Sequence, residues 1–106
     1  MIKVVYFRNK NRVSITGHAH SGEAGHDLVC AGVSALAYTL AANVGNMEDQ
    51  GQAKDVKVKL TTGNSSIRCN AVKGCEDMVR RIFEAVCVGF ELLATSYPKN
   101  ITYTLR

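Results

Sequence analysis

Residues 28–44 carry thirteen apolar side chains in seventeen, broken only by Gly32, Ser34, Thr39 and Asn43. A segment with so little polar surface is expected as a helix that other elements must cover, over about residues 27–47. The stretch falls short of the ~20 apolar residues that span a bilayer, so it is read as a core helix and not as a membrane segment. Its many Ala and Gly residues permit close approach of neighbours. Whatever the rest of the chain leaves uncovered is a face for a second subunit.

The flanking segments alternate instead. Ile2, Val4 and Tyr6 oppose Lys3, Val5 and Phe7, and Val13 and Ile15 oppose Arg12, Ser14 and Thr16, with Asn9, Lys10 and Asn11 as a polar turn. This is the pattern of a β-hairpin. A second hairpin is expected from Val56, Val58 and Leu60 facing inward and Lys57, Lys59 and Thr61 outward. Thr62, Gly63 and Asn64 form its turn, and Ile67, Cys69 and Ala71 continue the alternation. Between residues 75 and 97 the period becomes helical, with Val79, Ile82, Phe83, Val86, Phe90 and Leu93 on one stripe. Pro98 ends that helix, and Ile101, Tyr103 and Leu105 mark a last strand. The order ββαββαβ predicts an α+β fold, a two-layer sandwich in which a mostly antiparallel sheet carries both helices on one face. With 106 residues and no linker or repeat, residues 1–106 are expected to form one domain.

A strand begins almost at once, with no apolar segment and cleavage site before it, so a cytoplasmic location is expected. The four cysteines (Cys30, Cys69, Cys75, Cys87) are then thiols, and none pairs in a C-x-x-C. The formal charge is +4. Between residues 54 and 73 there are five Lys or Arg and one acid, a net +4, while the remainder balances at eight of each. The excess therefore raises an RNA- or ribosome-binding module using the second hairpin as an alternative function. That hairpin has no interleaved aromatic ring for stacking bases, which argues against direct nucleic-acid binding and for a solvated face.

All three histidines, His18, His20 and His26, fall within nine residues, and Cys30 follows four residues after the last. Asp27 is a natural N-cap, which puts Cys30 at the third helical position, where the positive end of the helix dipole favours a thiolate. A glycine-containing loop is able to bring that helix start beside His18, and the imidazole is then placed to help form the thiolate and to protonate a leaving amine. Residue type alone leaves other readings open. A cysteine in an Ala-rich helix is commonly a small core hydrophobe, and a strand-end histidine is often a surface group. His18, His20, His26 and Cys30 are also competent zinc ligands, although their spacing fits no standard zinc motif. Cys69, Cys75 and Cys87 are read as buried or idle thiols.

The run GHAHSGEAGHDLVCAGVSAL, residues 17–36, resembles the ribosomal-processing cysteine protease family, Prp. Gly17, His18, Ala19, Gly25, Asp27, Val29, Cys30, Ala31 and Ser34 fill the family's pattern of GHA, a short glycine loop, then G-x-D-x-V-C-A and a serine. The resemblance implies a homodimeric α/β endopeptidase that needs no cofactor or metal. It implies removal of an N-terminal extension from the precursor of large-subunit ribosomal protein twenty-seven, with cleavage after aromatic residues. By the same resemblance Cys30 is the nucleophile and His18 its general base and acid. Asp27 orients a partner or caps the helix, and Ser34 is a further motif position one turn after Cys30. Ala19, His20, Gly22, Gly25 and His26 are placed in a substrate-binding loop with the flexibility of a lid, and His26 is given no catalytic role.

Overall fold

A computed structural model of the chain describes residues 1–19 and 25–106. Its elements are β1 (Ile2–Phe7), β2 (Arg12–Thr16), α1 (His26–Asp49), β3 (Ala53–Thr61), β4 (Asn64–Ala71), α2 (Glu76–Ser96) and β5 (Ile101–Leu105). The fold is α+β, with the predicted order and both helices packed on one face of a five-stranded sheet. The polar turn between β1 and β2 is a short 3-10 segment, Arg8–Lys10, closed by Asn11 in the left-handed region.

The sheet order is β3-β4-β2-β1-β5. Three pairings are antiparallel, and the fourth, β1 with β5, is parallel because α2 carries the chain across before β5 returns beside the first strand. The alternation read from the sequence becomes two faces. Ile2, Val4, Tyr6, Val13, Ile15, Ile67, Cys69 and Ile101 are buried beneath the helices, together with Val29, Leu40, Val44, Val79, Phe83 and Phe90. Tyr6 and Phe83 stack with ring centroids 6.1 Å apart, so sheet and α2 meet through aromatic faces. Burying each large apolar side chain contributes roughly 1.5–3 kcal/mol.

The two helices approach through a reciprocal seam. A methyl group on Gly32 would lie 3.0 Å from a terminal carbon of Leu93, and one on Gly89 would lie 2.6 Å from a terminal carbon of Leu36. Each helix thus offers one glycine and one leucine four residues apart, and the opposite order of the two contacts makes the helices antiparallel. The second stripe also includes Cys87, which is buried with Val79, Phe83 and Phe90 although the sequence pattern left it out.

Two expectations change. Val58 and Leu60 lie on the helix side of β3, opposite Ile67 and Ser65, but they are exposed. The reason is that β3 is the outer strand at that end of the sheet, and between Leu60 and Val33, Ala37 and Tyr38 of α1 lies an open hollow in place of a packed contact. The second concerns α1, which runs 24 residues, long and apolar enough to cross a membrane by length and composition. Shortness therefore does not separate it from a membrane span. Its packing does describe a core helix on one side, where Val29, Val33, Ala37, Leu40, Val44 and Met47 are buried. Leu28 and Tyr38 remain 64% and 61% exposed on the other side.

Candidate active site

The head of α1, the end of β2 and the tip of the β3–β4 hairpin enclose a cleft of about 260 Å³. Its floor and helix wall are Ile2, Ile15 and Val33, and its polar groups include His18, His26, Cys30 and Ser34. Thr61, Thr62, Gly63, Asn64 and Ser65 form the opposite wall. The sequence marked 62–64 only as a turn. What brings it here is the register of β2 with β4, in which Thr16 faces Asn64, and spacing along the chain does not reveal that pairing.

Glycine makes two of the contacts possible. The Gly17 N–H donates to the Gly63 carbonyl at 3.0 Å, which clips the hairpin tip to the end of β2. Gly63 has φ of +79°, and a methyl group there would lie 2.6 Å from Nε2 of His18, so the bare turn seats the His18 ring. The His18 carbonyl in turn accepts a hydrogen bond from the Met1 nitrogen at 2.6 Å. His18 is exposed at the mouth of the cleft, and Ala19 beside it is buried.

The helix starts two residues earlier than an Asp27 cap implies. Gly25, in the left-handed region with φ of 84°, is the N-cap, and Tyr97 packs where its side chain would stand. Asp27 is therefore not the cap. It lies in the first turn with its side chain in solvent, where its charge still complements the helix dipole. Cys30 is at the fifth helical position and not the third. The Val29 N–H already donates to the Gly25 carbonyl at 2.9 Å, so helix bonding has begun before Cys30. The backbone N–H groups that an α-helix leaves unpaired belong to the turn before it.

This earlier start also moves His26 out of the loop and onto the first turn of α1, half-buried. One helical turn separates it from Cys30, and the Cys30 Sγ lies 4.0 Å from His26 Nδ1. On the outer side of the ring, Nε2 is 3.9 Å from Asp27 Oδ1. Two imidazoles thus share the cleft with the thiol: His26 beside the sulfur on the same helix, and His18 delivered by β2. Ser34, one turn beyond Cys30, is exposed in the cleft wall and is not a packing residue. Of the expected substrate loop, Ala19 and Gly25 flank the site, while His20 and Gly22, and with them the body of the expected lid, lie outside the described residues.

The other thiols are set apart by burial. Cys69 and Cys87 are buried, and desolvation pushes both up to about 11. Cys75 is half-buried at the start of α2. Among the described residues no group of three or more His, Cys, Asp or Glu is arranged to hold a metal ion. A thiol at the head of a helix, with imidazoles beside it in an open cleft, is equipped for nucleophilic attack on a carbonyl.

Comparison with known proteins is consistent with that chemistry. The sequence profile of the family described as cysteine protease Prp matches residues 1–102. The ribosomal processing cysteine protease Prp of Staphylococcus aureus (strain Mu50) is 31% identical over 90 residues, which cover 84% of this chain and 80% of the relative. Among solved structures, the essential ribosomal processing protease Prp from S. aureus, in complex with a covalently linked product peptide, superposes with a TM-score of 0.73. It is 27% identical, with all of both chains covered. The crystal structure of SMU.848 from Streptococcus mutans follows at a TM-score of 0.66 and 27% identity, covering 98% of this chain and 90% of the other.

Proposed function

The chain belongs to the Prp family of cysteine proteases, and on that premise we propose that it removes the N-terminal extension of large-subunit ribosomal protein twenty-seven, cutting after aromatic residues. The observation that carries the reading is the cleft that joins Cys30, His18 and His26 at the head of α1. The curated relative is named for ribosomal processing. A groove with an apolar floor and a wall of Thr, Asn and Ser suits an extended peptide, whose backbone needs hydrogen-bond partners and whose aromatic side chains need apolar surface.

In this reading Cys30 is the nucleophile. Its thiolate attacks the scissile carbonyl carbon, and the tetrahedral oxyanion is stabilised by backbone N–H groups of the first turn of α1. His18 protonates the departing amine as the C–N bond breaks, leaving a thioester on Cys30. His18 then takes a proton from water, the resulting hydroxide displaces the sulfur, and the carboxylate product leaves. No cofactor or metal enters these steps. Asp27 orients the His26 ring from outside, and Ser34 contributes a hydroxyl to the cleft.

Residues 1–106 act as one protease domain, and the working form is a homodimer. Its interface is the exposed side of α1, where Leu28, Ala31, Ala35 and Tyr38 form an uncovered stripe. The location is the cytoplasm, where four free thiols are the stable state of the cysteines.

The test is incubation with a peptide carrying the ribosomal protein's extension, followed by mass analysis of the products. Cleavage by the natural chain and none by a folded Cys30→Ala variant is expected, and cleavage retained by that variant refutes the nucleophile. His18→Ala is expected to slow the reaction by about 10²-fold or more.

A further inference from the structure

The fold sorts charge by layer. The strands and the 3-10 turn carry eight Lys or Arg (Lys3, Arg8, Lys10, Arg12, Lys54, Lys57, Lys59, Arg68) against one acid, Asp55, a net +7. The two helices carry seven acids and two Arg, a net −5. The sequence placed the whole excess on one hairpin and left the rest balanced. That balance consists largely of acids on the helices and cations on β1, the 3-10 turn and β2, and of these cations Arg8 turns to the helix side, where it pairs with Glu84 at 3.6 Å.

On the helix-free face the register lines these cations up. Lys57 pairs with Arg68, and Arg68 with Arg12, so three strands contribute one continuous cationic row. Lys59 faces Ser66 in the next row, and Ser66 faces Ser14. At the end of the row the Arg12 guanidinium lies 5.4 Å and the Lys10 ammonium 5.9 Å from the centre of the Phe7 ring. Phe7 thereby holds Arg12 in place and reduces the entropy lost when it binds. Lys10, Arg12 and Arg68, with Asn9 and Asn70, rim a hollow of about 330 Å³. Asp55 is also at its edge, and its carboxylate accepts a hydrogen bond from Asn70 Nδ2 at 2.9 Å. Among the described residues, the ion pairs of Lys and Arg involve Arg8 and Arg80 and none of the cations in this row.

We propose that this helix-free face binds the phosphate backbone of RNA, with the hollow between Arg12 and Arg68 as the seat of one phosphate. A cationic face studded with hydroxyl and amide groups matches phosphate and ribose chemistry. It lacks the exposed apolar side chains by which surface helices enter a membrane. The binding is read through backbone charge and not base identity, since Phe7 is engaged by Arg12 and not open for stacking. This reverses the expectation drawn from the hairpin alone, which lacked the cations of β2 and the 3-10 turn. It also goes beyond the protease reading, since the face uses none of the cleft residues.

The experiment is fluorescence anisotropy of a labelled RNA hairpin of mixed sequence with the full chain, over a range of salt concentrations. Binding is expected to weaken steeply with salt, with a log–log slope of about −3 for three or four phosphates. Lys57→Glu/Arg68→Glu is expected to lower affinity at least tenfold. Arg81→Glu/Lys99→Glu, which changes net charge equally away from this face, is expected to leave affinity within about twofold. Circular dichroism and retained peptide cleavage check that the variants fold, and Cys30→Ala keeps RNA binding if the two functions are independent. No binding at low salt, or equal loss in the two double variants, overturns the proposal. Tighter binding to phosphatidylserine vesicles than to RNA overturns the choice of partner.

Discussion

The Cys30 sulfur lies 4.0 Å from Nδ1 of His26, one turn earlier on the same helix, so thiol and imidazole are held together by α1 itself. His18 reaches the same cleft from β2, and its ring sits against the hairpin tip. The two histidines therefore answer to different parts of the fold. Replacing His26 by Ala is expected to slow alkylation of Cys30 by iodoacetamide about fivefold near neutral pH, corresponding to about 1 kcal/mol for a loose hydrogen bond to a charged group. The labelling rate of the two proteins at one fixed pH is the check. An unchanged rate means that His26 does not support the nucleophile.

Gly63→Ala places a carbon 2.6 Å from His18 Nε2 at a residue with φ of +79°. Gly51→Ala carries the same kind of backbone strain, φ +72°, into open space. Both are expected to lose about 1–2 kcal/mol of stability, measured by urea denaturation. Only Gly63→Ala is expected to lose cleavage rate, by roughly tenfold to 10²-fold, because it displaces the imidazole. Equal activity in the two variants would show that the His18 position is not set by the hairpin.

Alkaline pH should destabilise the protein earlier than exposed thiols and phenols would suggest. Burial raises Cys69 and Cys87 from 9.0 to about 11 and Tyr6 from 10.0 to about 12. For Tyr6, neighbouring Cys87 and Glu84 add to the effect. The folded state therefore holds protons that the unfolded state has released, and stability falls with rising pH across that interval. The contribution is complete below about pH 9 and is lost as pH climbs through about 11 for the thiols and 12 for Tyr6. Urea midpoints from pH 8 to 11 test this, and a flat profile contradicts it.

Tyr38 stands 61% exposed on the side of α1 turned away from the core. Tyr38→Asp is expected to convert the proposed homodimer to monomers with little change in monomer stability, since no core contact is lost. Sedimentation velocity distinguishes the species. A natural chain that sediments as a monomer at tens of micromolar rules out the interface.

The element order and most of the core were legible because period two and period 3.6 separate cleanly in this chain, as in Val13 and Ile15 against Val79, Phe83 and Phe90. Val58 and Leu60 were misplaced because alternation tells which face a side chain takes but not whether anything covers that face. The motif from Gly17 to Ser34 marked Cys30 and His18 as neighbours, and both line one cleft. It did not expose His26, whose place depended on whether Gly25 or Asp27 starts the helix. A glycine able to take φ of 84° while Tyr97 fills its missing side chain settles that question, and the contact spans 72 residues of sequence.

That contact has a temporal side. Gly25 rests on Tyr97, and β1 pairs with β5 along Ile2 to Ile101 and Tyr6 to Leu105. The start of α1 and the first strand are therefore both braced by residues 97–105, which are synthesised after Cys30, His18 and His26. A nascent chain that has made Cys30, His18 and His26 still lacks the support that aligns them, so the cleft is expected to assemble only once residues 97–105 have emerged.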